Sequence, residues 1–114
     1  MTTDYLIVGQ GLAGTVLAYT FIKEGKKVFI LDDPRISRCS RVAAGNYNPV
    51  VFKRLVKSWK ADDIIPFADD FYQEAQTSLK TKFFSKKQIV KIFSEEHERI
   101  FWEKKTQEAV GKYL

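Results

Sequence analysis

Three glycines and one acid carry the chemistry this sequence offers. Gly9, Gly11 and Gly14 stand in Gly9-Gln10-Gly11-Leu12-Ala13-Gly14, directly after the apolar run Tyr5–Val8. Asp32 closes a second apolar run, Val28–Leu31. Three glycines at this spacing recur by chance, but strand, glycine turn, helix, strand and acid together form the pattern that holds an adenine dinucleotide. Gly9 permits the tight turn out of the strand. Gly11 has no Cβ, so a pyrophosphate reaches the backbone, and Gly14 lets the helix pack closely on the strands. The helix N-terminus offers free N–H groups and a positive dipole end to the phosphates. A carboxylate at Asp32 accepts hydrogen bonds from ribose hydroxyls and repels a 2′-phosphate, which argues against NADP. These residues alone do not separate FAD from NAD.

The elements that must position these groups are legible in the hydrophobic periodicity. Tyr5–Val8 and Val28–Leu31 read as short strands of a parallel sheet, buried on both faces. Between them residues 12–24 read as a helix with Ala13, Val16, Leu17, Thr20 and Phe21 on one stripe, and Gly25 stops it. The result is a βαβ unit. Residues 33–49 hold Pro34, Gly45, Asn46, Asn48 and Pro49 and read as a long loop, a length that usually marks function or disorder. Residues 50–59 mix apolar and basic side chains and fit no single type. Asp62 or Asp63 then caps a helix with Pro66 in its first turn, whose stripe is Ile64, Phe67, Ala68, Phe71, Tyr72, Ala75 and Leu79. Residues 83–84 and 89–93 read as two short strands. Ser94 caps a last helix from Glu95 to about Val110, closed by Gly111.

The loop after Asp32 separates the candidate cofactors. It runs Ser40-Arg41-Val42-Ala43-Ala44-Gly45-Asn46-Tyr47-Asn48-Pro49. Its small residues let backbone approach a flat or charged group, and Arg38 and Arg41 are placed to neutralise phosphate charge. With the glycine turn and Asp32, this stretch resembles the N-terminal part of the D-amino-acid-oxidase-like family of FAD-dependent oxidoreductases. That family includes glycine and sarcosine oxidases and the oxidase domain that finishes the methylaminomethyl group on the tRNA wobble uridine. The resemblance implies that Leu12 and Ala13 meet the pyrophosphate through their backbone and that Asp32 grips the ribose, where the family usually has Glu. It implies a neighbouring contact at Asp33 and a small polar pair at Cys39 and Ser40, where Cys39 replaces the usual hydroxyl. Ala44, Gly45 and Asn46 fall where the family backbone nears the flavin.

The implied architecture is α/β: a Rossmann-like βαβ FAD-binding unit with an incomplete parallel sheet, then a helix and the start of a mixed α+β substrate domain. Residues 1–80 correspond to the N-terminal part of the FAD domain and 81–114 to the beginning of the substrate domain. The chain is about a third of a family member's length, so the expectation is a fragment of a longer protein, not catalytically competent alone. The implied chemistry is oxidation of a C–N bond in an amine or amino acid, with hydride passing to the flavin. No catalytic acid or base is identifiable. The alternatives are an NAD-binding module and a non-catalytic dinucleotide-binding module complete at this length.

Composition bounds the rest. The chain has 114 residues and a net charge of +5. No apolar stretch is long enough to span a membrane, so no membrane partner is expected, and no signal peptide precedes the first strand. Cys39, the single cysteine, points to a reducing, cytoplasmic setting. One cysteine and one histidine do not suffice for a structural metal site. His97 reads as an exposed helix residue, and Trp59 and Trp102 as packing residues. Tyr47, beside the presumed flavin loop, reads first as packing and second as functional. Basic residues gather in 53–60 (KRLVKSWK) and 80–91 (KTKFFSKKQIVK). They read as solvated faces, and among the substrates the family suggests (a free amino acid, a small secondary amine, a tRNA base) they lean mildly toward tRNA. An open two-stranded sheet edge predicts self-association of the isolated chain.

Overall fold

The computed structural model describes residues 2–114. The chain is mixed α/β and divides into two compact units, one running to Asn46 and one spanning Tyr47–Leu114.

The first unit is built from strand β1 (Tyr5–Val8), helix α1 (Leu12–Lys23), strand β2 (Val28–Leu31) and a single helical turn, α2 (Cys39–Val42). β1 and β2 pair in parallel, with Ile7 opposite Ile30 and Val8 opposite Leu31. The helix ends where glycine allows it. Gly25 takes φ +74°, and the N–H groups of Gly25 and Lys26 return to the carbonyls of Ile22 and Phe21, the Schellman arrangement. The short turn α2 lies inside the stretch expected to be loop.

The face that α1 buries differs from the expected stripe. Ala18 is its buried residue, while Leu17 is exposed. Phe21 stacks on Tyr5 with ring centroids 4.0 Å apart. Small side chains let the helix lie close, and bulk at Leu17 is turned away. The strands are likewise covered on one face only. Ile7 is buried, whereas Leu6, Val8, Phe29 and Leu31 are exposed. One helix covers one face of a two-stranded sheet, so burial on both faces does not arise here.

The second unit opens with an antiparallel pair, β3 (Val50–Val51) and β4 (Val56–Lys57), resolving the stretch that periodicity left untyped. Leu55 precedes β4 with φ +45°, a conformation costing a non-glycine residue about 1–2 kcal/mol. Its side chain is buried with Val50 and Val110, and that burial offsets the strain. Trp102, Tyr113 and Leu114 pack on this cluster.

Helix α3 (Ala61–Ser78) follows. Its N-cap is Lys60, in the left-handed region, not Asp62 or Asp63. The two acids lie within the first turn, where they favour the dipole. Pro66 sits inside the helix beyond that turn. Ala61 and Ala75 are its buried residues, and Phe67, Ile64 and Leu79 of the expected stripe are exposed. Asp62 is committed elsewhere: it accepts hydrogen bonds from Lys57 and from the Tyr113 hydroxyl at 2.6 Å, and Lys112 Nζ pairs with it at 2.6 Å.

Residues 83–84 and 89–93 are not strands. Their β-prone side chains find no ladder partner among the described residues, and a strand exists only by pairing. Helix α4 (Glu96–Thr106) is capped by Glu95, not Ser94, and stops before Val110. Gly111 does not close it but begins a 3-10 turn, Gly111–Tyr113. A Cβ there would lie 2.0 Å from the Thr106 carbonyl oxygen. Trp59, expected to pack, is 79% exposed with Lys60 Nζ over its ring. His97 lies on α4, exposed, with Nδ1 3.0 Å from Glu95 Oε2.

Candidate functional site

The glycine turn, the end of β2 and the start of α2 meet inside the first unit. The sheet ladder runs to its last step in backbone, with Gly9 N–H donating to Leu31 O at 2.8 Å. Past the strand end the acid takes over: Gln10 N–H donates to Asp32 Oδ1 at 2.8 Å. This is the local reason for an acid at that position. The turn peptide needs an acceptor one step beyond the last paired carbonyl, and a short carboxylate provides it.

Two of the glycines, Gly9 and Gly14, meet a backbone demand. Gly9 turns at φ +94°. A Cβ on Gly14 would stand 2.1 Å from the Gly9 carbonyl oxygen, so only glycine lets α1 start this close to the strand. A Cβ on Gly11 would stand 3.3 Å from Ser40 Oγ. That hydroxyl accepts from Leu12 N–H at 2.9 Å. Among the described residues nothing accepts from the N–H groups of Ala13 and Gly14. At a helix N-terminus such donors favour an anion. Bare donors, a glycine-only approach and an adjacent carboxylate fit the diphosphate and ribose of an adenine dinucleotide.

Arg38, read from the sequence as placed to neutralise phosphate charge, is engaged within the chain. It does not stand free to meet a phosphate. Its Nη2 pairs with Asp32 Oδ2 and also donates to Asp33 O at 3.1 Å, while Nη1 donates to Gln10 O at 3.2 Å. Both side chains of the pair are largely enclosed, 15% exposed for Arg38 and 17% for Asp32. A guanidinium against the carboxylate cancels much of its field. Gln10 joins the site through its backbone. No side-chain signal marks it, but its place between two glycines does.

The other expected residues are less engaged. Asp33 turns its carboxylate to Arg35, whose Nε donates at 2.9 Å, and that hydrogen bond holds its pKa below the ordinary value. Cys39 is an exposed free thiol beside Ser40. Ala44, Gly45 and Asn46 are exposed, irregular chain after α2. Arg41 is exposed.

In the second unit Tyr47 belongs to an aromatic cluster, stacked at 6.2 Å on Phe84 and 6.4 Å on Tyr72. Its hydroxyl donates to Asp69, whose other oxygen pairs with Lys86 at 2.5 Å. Burial first, then the Asp69 carboxylate, pushes the Tyr47 phenol well above its ordinary value. Lys86 and then Tyr47 hold Asp69 below its own. No helix among the described residues is long and apolar enough to cross a membrane. Neither a family model nor a solved structure matches the chain.

Proposed function

We propose that this chain is the adenine-dinucleotide-binding portion of an FAD-dependent oxidoreductase acting on a C–N bond of an amine or amino acid. The observation that carries the reading is the junction at Gln10: a glycine-only turn at a helix N-terminus, tied through one backbone N–H to the acid that closes the neighbouring strand. The resemblance of residues 9–14, 32 and 39–46 supports flavin over nicotinamide.

In this reading the Ala13 and Gly14 N–H groups hold the diphosphate, with Ser40 Oγ and Leu12 N–H beside it. Asp32 holds the ribose. Each carboxylate oxygen already accepts one hydrogen bond and keeps a further lone pair for a sugar hydroxyl. The flavin, when bound, supplies the hydride-accepting chemistry. No acid or base for substrate is assigned.

The test is titration of FAD and of ADP into the 114-residue chain, followed by flavin fluorescence and calorimetry. Asp32→Ala removes charge-assisted hydrogen bonds worth about 1.5–3 kcal/mol and weakens both ligands accordingly. Gly11→Val puts a side chain where the diphosphate lies and abolishes uptake. Undiminished binding by Gly11→Val, or no binding by the unaltered chain, defeats the reading.

A further inference from the structure

We infer that Arg38 is a positioning residue that clamps the ribose-binding acid to the phosphate-binding turn. The inference rests on the dinucleotide reading above and assigns a role that the glycine pattern does not contain.

The geometry closes a ring. Gln10 N–H reaches Asp32 Oδ1, Asp32 Oδ2 takes Arg38 Nη2, and Arg38 Nη1 returns to Gln10 O. One guanidinium thus grips the carboxylate at one corner and the carbonyl of the turn peptide at another. Its further bond to Asp33 O anchors it to the chain just past β2. The planar fork suits this task, since two nitrogens at fixed separation meet two acceptors at once. Without Arg38, Asp32 keeps a single bond to Gln10 N–H and regains rotational freedom. The Gln10 peptide, flanked by Gly9 and Gly11, loses the donor on its carbonyl side. Fixed geometry is what turns a carboxylate near a ribose into a selective one, because a site ordered in advance need not be ordered by the ligand.

The prediction is therefore about discrimination as well as affinity. ADP and 2′-deoxy-ADP differ by the hydroxyl that a carboxylate at this position accepts from. The unaltered chain prefers ADP by about tenfold, the lower range for a hydrogen bond to a charged group. In Arg38→Ala that preference falls to about twofold or less, as it does in Asp32→Ala. Arg38→Lys, a point donor in place of a fork, gives an intermediate ratio.

The experiment is calorimetric titration of both nucleotides into the unaltered chain and the three variants, with thermal melts of each. Loss of the ADP preference in Arg38→Ala supports the clamp. A variant that melts lower and binds both nucleotides more weakly in the same ratio shows a merely structural arginine and overturns it. So does an Arg38→Ala that binds ADP unchanged or more tightly. If the unaltered chain prefers ADP but Arg38→Ala keeps that preference, the clamp alone fails and the dinucleotide reading stands. If the unaltered chain binds neither nucleotide, both fall.

Discussion

Tyr47 and Asp69 give single side chains a measurable effect. The phenol is held above its ordinary value of 10.0 by burial and by the carboxylate it bonds. The unfolded chain therefore releases this proton first as pH rises. The contribution of the Tyr47 hydroxyl is complete below pH 10.0 and is lost as pH climbs toward the folded value. Asp69 works in the opposite sense. Held below its ordinary 3.8 by Lys86 and Tyr47, it stabilises the fold above that value and ceases to as pH falls through the folded one. Urea midpoints of the unaltered chain and of Tyr47→Phe, followed from acid to alkali, check the first statement. The gap between the two narrows above pH 10.0. A gap that widens there contradicts the assignment. At this scale the sequence was informative about Gly9 and Gly14, because glycine alone tolerates the backbone demand at each. It was silent on Arg38's partner. An arginine six residues past an acid reads equally well as a free cation, and the turn that Asp33 and Pro34 signal does not say which side chains it will bring together.

The helices show where local signals prevail and where tertiary demand overrides them. α1 begins and ends where the glycines at 11 and 25 place it, since both of its ends are set by backbone geometry. α3 does not use its apparent cap. Asp62 would have served, but Lys57, Lys112 and Tyr113 claim its carboxylate, and the cap falls two residues earlier, on a left-handed Lys60. The far end of α3 has the Schellman bonds, Thr81 N–H to Gln76 O at 3.1 Å and Lys80 N–H to Thr77 O at 3.2 Å. There Lys80, not glycine, takes φ +51°. Lys80→Gly relieves that strain, and after the added flexibility of the unfolded chain it stabilises the fold by about 0.5–1 kcal/mol. Chemical denaturation measures the gain, and a loss instead would mean that Lys80's side chain contributes more than its backbone costs. The apolar runs at 83–84 and 89–93 mark the limit of periodicity. It reports a β-prone surface, but pairing is a long-range event that no local pattern contains.

Across the whole molecule the buried apolar side chains among the described residues are Ile7, Ala18, Val50, Leu55, Ala61, Ala75 and Val110, three of them alanines. Parallel sheets are ordinarily covered on both faces, yet β1 and β2 expose Leu6, Val8, Phe29 and Leu31, with Val8 at 75%. Contiguous apolar surface of this kind drives association. The isolated chain is expected to bind a hydrophobic dye and to show a sedimentation coefficient that rises with concentration. Leu6→Lys with Leu31→Lys reduces both. A dye-silent monomer across the concentration range would contradict this. The α/β class and the parallel pairing were legible from two apolar runs flanking a helical pattern. Which face of each element turned inward was not, because that depends on how many layers the sheet receives.

The bond between Ser40 and Leu12 sets the terms on which any anion enters. The first amide of α1 is not naked, since a hydroxyl already answers it. An incoming oxygen therefore gains only its margin over that serine. Occupancy of the turn is an exchange, and what the helix offers a guest is measured against a tenant it supplies itself.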